Sequence, residues 1–168
     1  LAAKLYVSST TNDCDLFVTM QAHSPKGREV FFQGTVDPKT PLAQGWLRVS
    51  HRKLNTKLSK PWRPFHTHDD KQLLAPGKIY EVDIEIWPQC IVMPKGFTIV
   101  LNISGQDFDR PGPSVQAYSE SRGSGPFLHD HPLDRPKDVF GGKTTIYTGP
   151  KYSSYLLVPV IPKRRRKI

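Results

Sequence analysis

The sequence predicts an all-β protein, a jelly-roll or Greek-key β-sandwich of about eight strands, and three observations point to it. Glycine and proline together make up 28 of the 168 residues, which interrupts the chain too often for long helices. Apolar and polar residues alternate with a period of two in many short segments, as in strands that bury one face. Long polar loops separate some of these segments, as in sandwiches whose strands cross between sheets. The length fits one domain with a single core.

The first predicted strands lie near the start of the chain. Residues 5–7 open one strand, and residues 16–21 alternate in a second strand. Residues 24–27 read Ser-Pro-Lys-Gly, which favours a turn, and residues 30–32 are apolar again. This order predicts a β-hairpin.

The most regular alternation lies in the middle of the chain. A short strand is predicted at residues 46–50, before a long polar loop over residues 53–70. Residues 81–86 alternate Glu, Asp and Glu with Val, Ile and Ile, which predicts one face in solvent and one buried face. Residues 97–103 alternate in the same way, and we expect this strand beside the previous one or facing it across the core.

The last third of the chain is predicted to be a long loop followed by two strands and a basic tail. Residues 106–143 are polar and rich in Gly, Pro, Ser and Asp, and they are longer than an ordinary connection. Strands are predicted at residues 144–147 and 155–160. The single β-sandwich domain therefore spans residues 1–162, and residues 163–168 form the C-terminal tail.

The net charge does not point to a nucleic-acid or membrane partner. The formal charge is +9, but residues 163–167 contribute five of those charges in one block. A face that binds nucleic acid would continue into the folded body, so we expect a solvated tail. No segment reaches the roughly 18 uncharged apolar residues of a membrane-spanning helix, and the sequence predicts a soluble protein.

The cysteines indicate the redox state of the thiols, and the first residue indicates whether the chain belongs to a longer polypeptide. Cys14 and Cys90 match no metal-binding or redox spacing, so free thiols are expected. The chain begins at Leu1 without an initiator Met or a signal peptide, which predicts a piece of a longer polypeptide. The compartment stays open, with the cytoplasm favoured over secretion.

Histidines supply the candidate metal ligands. His66 and His68 form one His-x-His pair, followed by two aspartates, and His129 and His131 flank an aspartate in a second pair. Two such pairs with carboxylates could build an open site for a divalent metal. Both pairs fall in proline-containing loops, where imidazoles commonly bond backbone and carboxylate groups. We therefore predict no metal and no cofactor, and keep these four histidines as weak candidates.

No catalytic residue is predicted in this chain. The Gly-x-Ser-x-Gly pattern of hydrolase nucleophiles is absent, and the acids at 81, 83 and 85 line the wet face of a strand. Trp46, Trp62 and Trp87 lie in or beside the predicted strands and the long loop. Packing in the core or at an interface is favoured for them over stacking on sugar rings.

Six regions of the sequence, taken in order, resemble one protein family. They are LYVSS at 5–9 with DLFV at 15–18, GWLRVSHR at 45–52, WRPFH at 62–66, PGKIYEVDIEIWP at 76–88, ISGQDF at 103–108 and LLVPVIP at 156–162. The chain is similar over nearly its whole length to the C-terminal domain of X-Pro dipeptidyl-peptidases and of cocaine-esterase-like serine hydrolases.

The resemblance implies a jelly-roll sandwich of the galactose-binding-like type. In that family the catalytic Ser, Asp and His lie upstream, in an α/β-hydrolase domain, and none of them maps onto this sequence. The sandwich packs on the catalytic domain, helps to wall the substrate cleft, and supports oligomer contacts in some members. By this resemblance, Trp46 and Trp87 would anchor the core, and Arg48, His51 and Arg52 would contact the neighbouring domain.

The function expected from the sequence is that of a non-catalytic accessory domain. Its partner would be the upstream α/β-hydrolase catalytic domain of the same polypeptide, a dipeptidyl-peptidase or an acyl esterase. The alternative is a stand-alone β-sandwich module that binds carbohydrate through exposed aromatic rings or a metal through the histidine pairs.

Overall fold

The computed structural model describes residues 1–33, 39–110 and 128–162, and within them it contains eight strands. The prediction of an all-β protein with about eight strands is confirmed. The strands are β1 (Ala2–Ser9), β2 (Asp15–His23), β3 (Glu29–Val30), β4 (Ala43–Arg48), β5 (Tyr80–Glu85), β6 (Thr98–Ser104), β7 (Thr144–Tyr147) and β8 (Tyr155–Leu157). A 3-10 turn, Val49–His51, follows β4, and a one-turn helix, α1 (Lys137–Phe140), lies in the long loop before β7.

Two antiparallel sheets make up the sandwich, and each has a long central strand. In the first sheet, β1 pairs with β5 along one side and with β7 and β8 along the other. In the second sheet, β2 pairs with β3 and β4 along one side and with β6 along the other. The predicted hairpin is the β2–β3 pair. The β-sandwich is therefore confirmed, while the jelly-roll connectivity stays a prediction.

Alternation along the strands produces the core between the sheets. In β5, Val82 and Ile84 are at most 1% exposed, and the acidic side chains between them face outward. Leu16, Val18 and Met20 of β2 face them from the other sheet as part of the same cluster. Burying each such side chain stabilises the fold by about 1.5–3 kcal/mol. The strands predicted at 81–86 and 97–103 lie in different sheets, so they are not neighbours in one sheet.

A buried carboxylate fixes the turn after β4. Asp13 is 1% exposed, and its Oδ1 accepts hydrogen bonds from the backbone N–H groups of Cys14 at 2.9 Å and Ser50 at 3.0 Å. Hydrogen bonds from two backbone donors stabilise a charge held away from water. The loop between β1 and β2 is thereby joined to the 3-10 turn that carries His51.

The strand predicted at 46–50 instead spans Ala43–Arg48. It ends earlier than expected because Val49 and Ser50 belong to the 3-10 turn. The last strand likewise ends at Leu157 rather than at residue 160. The tail at 163–168 and part of the loop predicted at 106–143 lie outside the described residues.

Both cysteines are free, as expected, with Cys14 buried and Cys90 exposed. Burial raises the pKa of the Cys14 thiol to about 11, so this thiol stays neutral and packs as a small apolar group. In the part of the chain that the structure describes, no helix is long and apolar enough to cross a membrane.

The two sheets come closest along the edge formed by β4 and β5. The backbone N–H of Trp87 donates to the carbonyl oxygen of Gln44 at 2.9 Å, which ties these edges together. At Gly45, an added Cβ would overlap the carbonyl oxygen of Glu85. Glycine is therefore required at this position by the close approach of another strand.

We predict that Gly45→Ala destabilises the protein by about 2–3 kcal/mol, because the overlap forces β4 and β5 apart. Urea denaturation followed by tryptophan fluorescence measures the change. Gly105→Ala is the control, since an added Cβ there meets no atom within 4 Å. Equal effects of the two substitutions would contradict the close approach of the strands.

Candidate functional site

A cleft of about 420 Å³ opens at one end of the sandwich. Its floor is the outer face of β2 and β4, and one wall carries the histidines of the 3-10 turn and of the loop that follows it. The opposite rim comes from the end of β5 and from residues 128–140, which we call the strap. This volume lies in the range of clefts that hold ligands or partner side chains.

Two tryptophans line the cleft, and both are exposed. Trp46 is 44% exposed and Trp87 is 61% exposed, with ring centroids 5.5 Å apart. In β4 the neighbouring Gly45 and Leu47 are buried, so alternation turns Trp46 outward. Trp87 follows the last paired positions of β5. The expectation that these tryptophans anchor the core is wrong, and a role at an interface stays a prediction.

Arg48 joins two carboxylates across the floor of the cleft. Its Nε and Nη2 donate to Oδ1 and Oδ2 of Asp15 at 2.9 and 3.0 Å. Its Nη1 and Nη2 also donate to Oδ1 and Oδ2 of Asp134 in the strap, at 2.9 and 3.0 Å. Asp15 and Arg48 stand opposite each other in the β2–β4 register, so strand pairing brings them together.

These hydrogen bonds favour the charged forms of Asp134 and Arg48. They hold the pKa of Asp134 below its ordinary value and raise that of the Arg48 guanidinium, with Asp15 as the main cause for the arginine. The guanidinium also lies 4.4 Å from the ring centroid of Phe140. Arg48 is thus paired within its own domain, and its contact with a neighbouring domain stays a prediction.

Arg135 packs the strap onto the same face. Its guanidinium lies 5.5 Å from the ring centroid of Phe17, and it donates to the carbonyl oxygens of His129 at 2.7 Å and Gly105 at 2.5 Å. Its Nε forms an ion pair with Oδ2 of Asp15 at 2.9 Å. Asp15 and Phe17 are each only 7% exposed as a result.

Replacing Arg48 with Met is expected to lower the free energy of unfolding by about 2–4 kcal/mol, because buried Asp15 keeps only its ion pair with Arg135. Asp134→Asn is the matched comparison. The Asp134 side chain is 59% exposed, so we expect a loss below about 1 kcal/mol. Urea denaturation measures the free energy of unfolding of both variants. Equal losses would contradict the larger contribution expected from the buried contact between Arg48 and Asp15.

Three histidines from the 3-10 turn and the following loop form one wall. The Nδ1 atoms of His51 and His68 are 3.2 Å apart, which is hydrogen-bond distance, so one ring donates and the other accepts. The ring centroid of His66 lies 6.0 Å from that of His68. His68 has a φ of 54°, in the left-handed region that non-glycine residues rarely adopt.

Arg52 follows His51 but packs back on its own domain. Its Nη1 donates to the carbonyl oxygens of Val49 at 3.1 Å and Gln72 at 2.6 Å. The guanidinium lies 4.5 Å from the ring centroid of Tyr80. The contacts predicted between a neighbouring domain and His51 or Arg52 stay predictions.

The other histidine pair lies on the strap. Nδ1 of His129 is 2.8 Å from Oδ1 of Asp107, and the ring centroid of His129 is 5.6 Å from that of Trp46. His131 is exposed, and its Nδ1 accepts a hydrogen bond from the backbone N–H of Leu133 at 3.3 Å. Within residues 1–33, 39–110 and 128–162, no three His, Cys, Asp or Glu side chains stand where they could hold a metal ion.

His66 differs from its neighbours in burial. Its Nε2 is buried, and among the described residues no hydrogen bond of standard geometry reaches that atom. Burial lowers the pKa of His66, and the adjacent His68 imidazole lowers it further. The imidazole is therefore neutral in the folded protein at neutral pH.

Acid should destabilise the protein through His66. Because the unfolded chain binds this proton more readily, stability is complete above about pH 6.5 and falls as the pH drops toward the lower folded-state pKa. We expect the stability loss between pH 7 and pH 5 to shrink in His66→Gln. Exposed His131→Gln is the control. Thermal denaturation across this pH range tests the effect, and identical slopes for wild type and His66→Gln would contradict it.

Sequence reasoning missed Asp15, Asp134 and Arg135. Alternation places Asp15 on the face of β2 opposite Leu16, and this signal was available in the sequence. The opposing position of Arg48 depends on the register of two strands that are distant in the chain, which no local pattern gives. The strap residues lie in a segment without periodicity, so their contacts also had no local signal.

The fold and the cleft together define a class of protein: an all-β sandwich domain that exposes an aromatic surface at one end. The sequence profile of the family described as "X-Pro dipeptidyl-peptidase C-terminal non-catalytic domain" matches residues 1–157. The chain belongs to this family, and the resemblance found in the sequence is confirmed.

Relatives extend the comparison to hydrolases. Two proteins named as serine esterases, from Mycobacterium bovis and Mycobacterium tuberculosis, are each 27% identical to the chain over 125 residues. This alignment covers 68% of the chain and 18% of each relative. The chain therefore spans less than a fifth of the curated relatives.

Solved structures give the same result. Two crystal structures of a CocE/NonD family hydrolase from Staphylococcus aureus match with TM-scores of 0.74 and 0.77, at 29% and 30% identity. Each match covers 91% of the chain and 26% of the hydrolase. The chain corresponds to about a quarter of that enzyme.

Proposed function

We propose that this chain is the accessory domain of a serine hydrolase, that it packs on the catalytic domain of the same polypeptide, and that it helps to shape the substrate cleft there. The observation that carries the proposal is the pair of exposed tryptophans in the cleft, on a domain whose family is non-catalytic. Large exposed aromatic side chains are enriched where proteins meet partners.

The cleft has the anatomy of an interface. Trp46 and Trp87 supply apolar surface, while Glu85 and Asp134 at the rim and Arg48 on the floor supply polar groups around it. Buried aromatic anchors surrounded by polar groups are typical of binding hot spots. Such a surface is suited to receive a loop of the catalytic domain beside the substrate.

The chemistry itself is assigned to the rest of the polypeptide. Among the described residues, no hydrogen bond joins a serine hydroxyl to an imidazole, whereas a nucleophilic serine requires such a base. The relatives favour an esterase or a dipeptidyl-peptidase as the parent enzyme. A soluble cytoplasmic location, oligomer contacts, and the lack of nucleic-acid and membrane partners stay predictions.

Carbohydrate binding is the second candidate function. Two exposed tryptophan rings in a cleft of about 420 Å³ could stack on a sugar, with Glu85 as a hydrogen-bond acceptor. If the cleft binds carbohydrate, substitutions in the cleft would leave the hydrolase activity of the parent enzyme unchanged.

The double variant Trp46→Ala and Trp87→Ala, made in the full-length polypeptide, separates these functions. Loss of two aromatic anchors is expected to lower kcat/KM for an activated ester or an X-Pro chromogenic substrate about tenfold or more and to loosen domain packing. Steady-state kinetics and small-angle X-ray scattering measure the two effects.

The matched control changes exposed apolar residues that do not line the cleft, Val92→Ala with Val160→Ala, which are 92% and 82% exposed. Unchanged kinetics and packing in the tryptophan variant would overturn the accessory role of the cleft. Tryptophan fluorescence that responds to a sugar, with kinetics unaltered, would favour the carbohydrate function. Hydrolysis by the 168-residue chain alone would contradict the non-catalytic assignment.

A further inference from the structure

A short folded loop lies in the chain between the 3-10 turn and His68. Residues 54–66, which we call the hairpin loop, close on themselves through bridges between Leu54 and His66 and between Lys60 and Arg63. The backbone N–H and C=O groups of Lys60 and Arg63 exchange hydrogen bonds of 3.0 and 2.9 Å. The Asn55 side chain accepts from two further backbone N–H groups. Hydrogen bonds within the hairpin loop therefore fix its shape.

Its surface combines cations with large apolar side chains. Leu58, Trp62 and Phe65 are 47%, 54% and 43% exposed. Exposed Lys57 and Lys60 stand beside them, together with exposed Arg63.

The charge of this surface has a single sign. Residues 52–68 contain no Asp or Glu. Across the part of the chain that the structure describes, none of the three exposed cations forms an ion pair. By contrast, Arg48, Lys53 and Arg110 are all paired with carboxylates. The hairpin loop is thus an apolar surface with uncompensated positive charge.

The hairpin loop also lies where the polypeptide enters the domain. The nitrogen of Leu1, the first residue of the sequence, lies 3.4 Å from the carbonyl oxygen of Trp62. The carbonyl oxygen of Leu1 accepts from the N–H of Ile86, directly before Trp87 of the cleft. Under the proposed function, a segment that precedes Leu1 would start beside both the hairpin loop and the cleft.

We propose that the hairpin loop is a docking element for an acidic surface of the catalytic domain in the same polypeptide. This inference rests on the proposed function and names the chemistry of the partner. Uncompensated cations around apolar side chains are complementary to carboxylates around an apolar patch. Because the two domains share one chain, a high effective concentration makes a small contact area sufficient for docking.

A second copy of this chain does not fit the surface as well. A two-fold interface places the same patch against itself, which would bring Lys57, Lys60 and Arg63 against identical cations. An acidic partner removes that repulsion.

Charge reversal in the full-length polypeptide tests the proposal. The test variant carries Lys57→Glu, Lys60→Glu and Arg63→Glu together. The matched control reverses three exposed cations near the opposite end of β2, Lys26→Glu, Arg28→Glu and Lys95→Glu. Small-angle X-ray scattering measures domain packing, and amide hydrogen exchange at residues 60 and 63 measures protection of the hairpin loop.

At moderate salt, we expect the test variant to increase the undocked fraction about tenfold or more, while the control matches wild type. Wild type at about 1 M NaCl should shift in the same direction, because salt screens exposed charges. Circular dichroism of both variants checks that they fold, which is expected since all six positions are exposed.

The outcomes separate the two proposals. A docked wild type whose packing is unchanged by the reversal would overturn the docking role and leave the proposed function standing. Domains that are already apart in wild type would overturn the proposed function and this inference with it. Salt-sensitive binding of single-stranded RNA that the reversal abolishes, with domain packing unchanged, would assign the hairpin loop to nucleic acid instead.

Discussion

The cleft depends on one guanidinium group. Arg48 is hydrogen-bonded to Asp15 on the neighbouring strand and to Asp134 on the strap, so a single side chain joins the sheet to the segment that covers it. A planar group with donors on two edges can bind two carboxylates in a paired, directional way, whereas the ammonium of a lysine is a point charge without this fork geometry. This link and the contacts of Arg135 position the strap, and Asp107 holds His129 beside Trp46. The strap is therefore held beside the aromatic floor by ion pairs together with contacts between guanidinium groups and aromatic rings.

Much of the fold could be predicted from the sequence, because one buried face per strand leaves a local pattern. The alternation at 81–86 and 16–21 predicted strands whose apolar faces meet in the core. The tryptophans show where such reasoning failed. The resemblance implied that they anchor the core, but the inward positions of β4 belong to Ala43, Gly45 and Leu47. Gly45 is needed there by the approach of β5, and alternation then forces Trp46 outward.

The candidate site could be predicted only in part, because its contacts join distant segments. His66 and His68 were recognised as a pair, but their partner His51 comes from another element. The pairing of Arg48 with Asp15 depends on register, and that with Asp134 depends on a segment without periodicity. Local pattern specifies which residues lie on a face. It does not specify which faces are covered, or by which loop.

The central position of β1 has a mechanical consequence. Ala2 is already paired with Glu85 on one side and with Leu157 on the other, one residue after the chain enters the domain. A pull on the preceding polypeptide acts along this strand, so the hydrogen bonds on both of its flanks are loaded in shear and must break together rather than peel one by one. The central strand β1 is therefore the part of this sheet best placed to resist a pull on the first residues of the domain.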